Sequence, residues 1–235
     1  MKNTEKNRFL DKDKLINETT PFAIVESYKT ARTNLLYSGS NDDVPIFAMT
    51  SAGPNEGKTI NSLNLAISFS QMNKKVLIMD CDLRNPSIHR LLGYKNDSGI
   101  SEILAGIESK ISIKSTNYEN LSVATAGRTP PNPSELLLSV RMKTLLMQFK
   151  EKFDYIFIDL PPIGLVTDAA LLTDTVTGYI LIARADKSDI RNVKNAVSIL
   201  ENVSANILGF ILNDINPKRS QKYNYDYKYG YDYKY

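Results

Sequence analysis

The stretch Ala52-Gly53-Pro54-Asn55-Glu56-Gly57-Lys58-Thr59 constrains this chain more than any other, because of what lies on either side of it. Residues 45–50 before it form a mostly apolar run without alternation, the pattern of a strand buried on both faces of a parallel sheet. Residues 59–72 after it carry apolar side chains at helical spacing, which makes the unit strand, loop and helix. The loop has the spacing of a phosphate cradle, with Ala52 standing in the place of the usual first glycine. Such a cradle needs inward-facing backbone N–H groups, a glycine where the backbone passes close to phosphate, and a helix N-terminus beneath. Gly57 and the following helix supply these, Lys58 brings a point charge for the β- and γ-phosphates, and the Thr59 hydroxyl is placed to coordinate magnesium. Gly53, Pro54, Asn55, Glu56, Gly57, Lys58, Thr59 and Ile60 are therefore the expected contacts of a nucleotide, with ATP and Mg²⁺ the expected ligands.

The strand and helix signals continue. Residues 75–80 form a second apolar run that ends in Asp80-Cys81-Asp82, and residues 155–159 a third that ends in Asp159. Strands are also expected at 121–125, 179–183 and 207–212, with helices at 25–37, 134–152, 168–173 and 189–203. Such alternation implies an α/β fold with a mostly parallel sheet flanked by helices on both faces. Ligands of open parallel sheets sit at the carboxyl ends of the strands, so Asp80, Asp82 and Asp159 should converge on the loop. Magnesium commonly takes one or two carboxylates together with phosphates and water, and Thr59, Asp82 and Asp159 are its expected protein ligands. Asp168 suits either a helix cap or a contact with nucleotide or substrate.

Composition narrows the chemistry. One histidine, His89, and one cysteine, Cys81, exclude His-cluster metal chemistry, a Cys-rich zinc site and an intramolecular disulfide, so a general base is expected to be a carboxylate. Cys81, between two site carboxylates, is expected to be a packed, inert thiol, and His89 a surface residue. A net charge of +3 does not by itself argue for nucleic acid, and none is expected as a partner. Without an apolar stretch long enough to span a bilayer, the chain is expected in the cytoplasm. The composition changes abruptly after Pro217. From Tyr223 to Tyr235 every second residue is tyrosine, with no aliphatic residue between, and the expected domains are a folded unit of 1–217 and a disordered, low-complexity tail of 218–235.

In order and spacing, these motifs resemble a bacterial tyrosine kinase of the Gram-positive capsular or exopolysaccharide type, a P-loop NTPase-like kinase with a separate transmembrane activator. The resemblance rests on Glu26-Ser27-Tyr28-Lys29-Thr30-Ala31-Arg32, on the loop 52–59, on Asp80-Cys81-Asp82-Leu83-Arg84-Asn85-Pro86, on Pro130-Pro131-Asn132-Pro133-Ser134-Glu135-Leu136, on Ile158-Asp159-Leu160-Pro161-Pro162, on Val166-Thr167-Asp168, and on the tail. It implies that Lys58 and Thr59 belong to Walker A, Asp80 and Asp82 to Walker A′, and Asp159 to Walker B. Lys58, Asp80 and Asp82 would then be catalytic, with Asp80 receiving the acceptor's proton and Asp82 close to metal and substrate, or the reverse. Asn213 would contact adenine. The resemblance also implies that Tyr223, Tyr225, Tyr227, Tyr229, Tyr231, Tyr233 and Tyr235 are phosphoacceptors, labelled in trans within a ring-like homo-oligomer, octameric in this reading. A helix around 24–38 would mediate that assembly through Glu26, Lys29 and Arg32. Here Lys29 stands where the family has arginine, which keeps the charge and loses the bidentate fork. Implied partners are the activator, which would hold the chain at the inner face of the membrane, and a phosphotyrosine phosphatase. The competing classes are a partitioning or positioning ATPase, which carries a further lysine near the start of the loop that residues 51–56 lack, and a nucleotide-dependent scaffold without kinase activity.

Overall fold

The computed structural model describes residues 13–39 and 42–215, and the tail tyrosines lie outside them. An N-terminal helix α1 (Phe22–Ser38) leads into β1 (Ile46–Ser51), the phosphate loop and α2 (Lys58–Ser70). Then come β2 (Val76–Asp80), the short helices α3 (Ile88–Leu92) and α4 (Ile100–Leu104), and the strands β3 (Ile113–Ser115) and β4 (Leu121–Ala124). The chain continues through α5 (Pro133–Leu138), α6 (Val140–Lys150), β5 (Tyr155–Asp159), a 3₁₀ helix (Thr167–Thr175), β6 (Gly178–Arg184), α7 (Ile190–Asn202) and β7 (Ile207–Asn213). The strands form one seven-stranded sheet in the order β3-β4-β2-β5-β1-β6-β7, parallel except for the β3–β4 pair.

Side chains alternate along β1 into two cores. Phe47 and Met49 face α1 and α2, with Val76, Ile78 and Phe157 beside them, while Ile46 and Ala48 face the opposite side, with Leu77, Met79, Ile156 and Ile158. That second side is covered by α4 to α7 and the 3₁₀ helix, through residues such as Leu104, Leu137, Leu146, Leu172 and Leu200. Burial on both faces is why the central strands read as continuous apolar runs. Under α2, Phe47, Phe69 and Phe157 pack with ring centroids 5.1–5.7 Å apart and fix the helix that carries the phosphate loop.

Two expectations differ in detail. The single helix expected over 134–152 is broken at Ser139, whose backbone is extended (φ −65°, ψ 153°) and whose Oγ accepts the Met142 N–H at 3.3 Å, so the serine begins a new helix. The segment between β2 and β4, to which the sequence assigned no element, holds α3, α4 and the antiparallel β3.

Candidate nucleotide and phosphoryl-transfer site

The site is built where the strand order reverses. β5 lies between β1 and β2, and its register places Asp159 beside both Met49 and Asp80. Two carboxylates on adjacent parallel strand ends are thus forced together below the phosphate loop, which is the convergence expected of this fold.

The loop itself is held in several ways. Gly57 adopts φ +91°, and a Cβ there would lie 2.0 Å from Asn213 Nδ2, so only glycine fits. The Asn213 amide donates to the Glu56 carbonyl at 3.0 Å, which places the expected adenine-side residue against the loop. Glu56 is buried, and its carboxylate accepts the Gly53 N–H at 2.9 Å and the Ser188 hydroxyl. The carbonyls of Pro54 and Asn55 receive Lys187 Nζ at 3.4 and 3.1 Å, and Arg184 Nη1 also reaches Asn55 O at 3.4 Å. Ala52, the departure from the glycine pattern, is buried against Gly164, where a Cβ would approach the Ala52 carbonyl to 2.1 Å. Ile60 is half-buried and packs into the α2-side core behind the loop.

Below the loop the charged side chains form one network. Lys58 Nζ lies 2.9 Å from Asp159 Oδ2 and 3.7 Å from Asp82 Oδ2, and Thr59 Oγ1 donates to Asp159 Oδ2 at 2.7 Å. Ser62 Oγ, one helical turn beyond Lys58, lies 2.8 Å from Asp159 Oδ1. Asp80 is wholly buried, its Oδ2 accepts the N–H groups of Ser87 and Ile88 at 3.0 and 2.9 Å, and its Oδ1 has no hydrogen-bond partner. Burial first, and then the charge of Asp159, push the Asp80 carboxyl up to about 7, against the pull of Lys58 and the Ile88 N–H. Asp82 is also raised by burial, with Lys58 and the Asn85 N–H opposing. Burial and the neighbouring carboxylates push the Cys81 thiol well up, so it is an inert packed residue.

This donor set fits a magnesium ion. Thr59 Oγ1, Asp82 and Asp159 are hard oxygen donors gathered around one lysine, and the unpartnered Asp80 Oδ1 is an acceptor that apolar surroundings alone would not retain. Among the described residues no group of three His, Cys, Asp or Glu forms a ready metal cage, so an ion here would take phosphate oxygens and water as well.

Sequence reasoning missed several residues. Ser62 was accessible through its helical spacing from Lys58, whereas Ser87 (Oγ 3.1 Å from Thr59 Oγ1), Ser188 and Lys187 arrive on loops that no local pattern marks. Asp168 lies in the first turn of the 3₁₀ helix, where its carboxylate binds Arg84 at 2.7 Å. His89 is half-buried rather than a surface residue. On α1, Glu26 and Lys29 pair with each other at 2.7 Å, while Arg32 turns inward to the Ser68 carbonyl of α2.

A family model described as ParA, NUBPL iron-transfer P-loop NTPase, matches residues 45–223. CapB of Staphylococcus aureus is 34% identical over 213 residues, covering 90% of this chain and 93% of that protein. The tyrosine-protein kinase YwqD of Bacillus subtilis (strain 168) is 34% identical over 201 residues, 85% of each protein. The solved kinase domain of the Escherichia coli tyrosine kinase Etk superposes with a TM-score of 0.78 at 34% identity, over 90% of this chain and 80% of that one. With its nucleotide-binding loop and carboxylates in this arrangement, the chain belongs to the bacterial tyrosine kinases, on the P-loop NTPase fold.

Proposed function

We propose that the chain is an ATP- and Mg²⁺-dependent protein-tyrosine kinase that phosphorylates its own C-terminal tyrosine cluster. The observation that carries this reading is the network in which one buried lysine, Lys58, faces Asp159 and Asp82 while Asp80 holds a raised carboxyl beside them. In the reaction a tyrosine oxygen bonds to the γ-phosphorus, the bond to the ADP oxygen breaks, and the phenolic proton passes to a carboxylate. Phosphoryl transfer asks mainly for position and charge neutralisation. The loop amides hold the phosphates, Lys58 places positive charge where the leaving group develops negative charge, and Thr59 and Asp159 fix one another in the metal-facing geometry. Thr59, Asp82 and Asp159 are the residues that would hold magnesium, which would supply further charge neutralisation when bound. A tyrosine hydroxyl titrates near 10, so its proton leaves late, and a carboxyl held at about 7 is a better acceptor than one near its ordinary 3.8. Burial raises Asp82 as well, and it is the resemblance that assigns the proton to Asp80, with Asp82 close to metal and substrate.

The resemblance supports trans-labelling of Tyr223, Tyr225, Tyr227, Tyr229, Tyr231, Tyr233 and Tyr235 inside a ring of this chain, octameric by analogy and built on Glu26, Lys29 and Arg32. The tail from Lys218 carries five basic and two acidic residues, 5 − 2 = +3. Seven phosphotyrosines would add roughly −10 to −14, enough to repel a tail from an acidic neighbouring site and disassemble the ring. Light scattering of phosphorylated and unphosphorylated protein tests this, and equal sizes would refute the switch. Among the described residues no helix is long and apolar enough to cross a membrane. A transmembrane activator would therefore bring the chain to the inner membrane face, where it would control capsular or exopolysaccharide assembly, with a phosphatase resetting the tail.

Incubation of the full chain with ATP and magnesium tests the activity. Phosphotyrosine that disappears in Lys58→Met is the expected result. Phosphate release without phosphotyrosine would favour a positioning-type ATPase, and neither product would leave a scaffold.

A further inference from the structure

Three stretches that the sequence singled out meet at one point. Arg84 lies in the loop after β2, Ser134 in α5, and Asp168 in the 3₁₀ helix that follows β5. Arg84 Nε and Nη2 donate to the two oxygens of Asp168 at 2.7 and 3.0 Å, Arg84 Nη2 also reaches Ser134 Oγ at 3.0 Å, and Ser134 Oγ donates to Asp168 Oδ1 at 2.7 Å. The Asp168 side chain is 2% exposed and the Arg84 side chain 42% exposed. The carboxylate is thus built into the fold, while the guanidinium covers it from the solvent side. Burial alone would raise Asp168, but its hydrogen bonds from Arg84 and Ser134 outweigh that and hold it below the ordinary range.

The consequence lies two residues from Arg84. Asp82 Oδ1 accepts the Asn85 N–H at 3.1 Å, so residues 82–85 form one braced turn, and Arg84 ties this turn to α5 and the 3₁₀ helix. Asp82 is 3.7 Å from Lys58 Nζ, too far for a direct hydrogen bond to fix it. Its position is therefore inherited from the turn rather than set by Lys58. We propose that the Arg84–Asp168–Ser134 junction is a positioning latch, which ties the exit of β2 to the exit of β5 and sets where Asp82 stands relative to Lys58. Arg84 is a positioning residue, acting on Asp82 through the turn. The proposal rests on the tyrosine-kinase reading of this site and adds the device that sets its acidic geometry.

The test uses the full chain and compares Arg84→Lys, Asp168→Asn, their double variant and the milder Ser134→Ala. Phosphotyrosine formation and phosphate release are measured against ATP and against magnesium, with thermal melting alongside. Arg84→Lys keeps the charge and loses the fork. If the latch sets Asp82, kcat falls about tenfold or more in Arg84→Lys and in Asp168→Asn, since displacements of about 1 Å are costly to phosphoryl transfer. The magnesium midpoint rises several-fold, KM for ATP stays within about twofold because the phosphate loop is untouched, and the double variant is no worse than the worse single one. Ser134→Ala moves the same quantities less, and it carries the test should the others fail to fold. A lowered melting temperature with parental kcat and magnesium midpoint would overturn the proposal, leaving a structural brace, and so would losses that multiply in the double variant. Should the parent chain make no phosphotyrosine, the kinase reading falls separately, and the latch is judged on phosphate release.

Discussion

Two lysine–carboxylate pairs in this molecule have nearly the same length and opposite meanings. Lys58 and Asp159 meet at 2.9 Å with side chains 8% and 0% exposed, whereas Lys29 and Glu26 meet at 2.7 Å with 44% and 42% exposed. In water, a pair at such distances gains about 1 kcal/mol before side-chain entropy is subtracted, and exposed pairs commonly contribute little. Inside a sheet edge the same contact compensates charges that have lost their solvent, and breaking it strands them. Distance therefore says nothing about which pair matters to the fold. Burial decides, and it also separates chemistry from assembly: a phosphoryl-transfer site gains from desolvated charge, while a contact surface must remain open until a partner covers it.

The sharpest way to break this comparison is Lys58→Met. It leaves Asp159, Asp82 and Asp80 without their cation, with an expected destabilisation on the order of 3–5 kcal/mol alongside the loss of phosphotyrosine. Because Lys58 pulls Asp80 and Asp82 downward, both titrate higher without it. The deficit should therefore be larger at pH 8 than at pH 5, as thermal melting across that range would show. An equal deficit at both pH values would mean that Lys58 is not compensating those carboxylates.

Next in size is Asp80→Asn, where stability and activity should move in opposite directions. A folded value of about 7 against an ordinary 3.8 means that the native state holds the proton more tightly than the unfolded chain does. The stability from that proton is complete below about pH 4 and is lost as pH rises through about 7. Asparagine keeps an oxygen for the Ser87 and Ile88 N–H groups and carries no charge. The nucleotide-free variant should therefore melt higher than the parent by an amount that grows from pH 4 to 7 and is constant above, reaching on the order of 2–4 kcal/mol. Phosphotyrosine formation should fall by about 10²–10⁴ for loss of a proton acceptor. A variant that melts lower than its parent at pH 8 would show that Asp80 is not a strained charge.

What the sequence made legible follows the same division. The loop, the two acidic strand ends and the two-sided sheet were readable because each is local: an apolar run of strand length, a fixed spacing of Gly57, Lys58 and Thr59, and a carboxylate at the end of a run. The meeting of Asp80 with Asp159 followed from the rule for parallel sheets. The raised Asp80 carboxyl did not, because it depends on the residues packed around it and on the Asp159 charge one strand away. The Arg84–Asp168 contact joins residues 84 positions apart, and Ser188 and Lys187 come to the loop from 132 positions away. No periodicity encodes such pairings. Ser139 was missed for a different reason: a serine inside an apolar helical pattern is ambiguous until its hydroxyl is seen capping Met142.

The smallest expected effects come from α1, and there the comparison can be sharpened within a single helix. Glu26, Lys29 and Arg32 share a motif in the sequence, yet the first two pair with each other, whereas Arg32 donates to the Ser68 carbonyl and fastens α1 to α2. Arg32→Ala should cost about 1–2 kcal/mol, as loss of a charged hydrogen bond to a part-buried carbonyl. Lys29→Ala should change stability by no more than about 0.5 kcal/mol. The oligomer should respond in the other order. Light scattering should show Lys29→Ala reducing assembly size while the melting temperature stays put, since an exposed lysine is free to change partners on assembly. Arg32→Ala should affect assembly only through the loosened helix, and an added Lys29→Arg, which restores the fork, should enlarge or tighten the assembly without touching stability. If Arg32→Ala disperses the oligomer at an unchanged melting temperature, then Arg32 leaves Ser68 to serve the interface, and burial in the single chain is not the guide to which of these charges bind a neighbour.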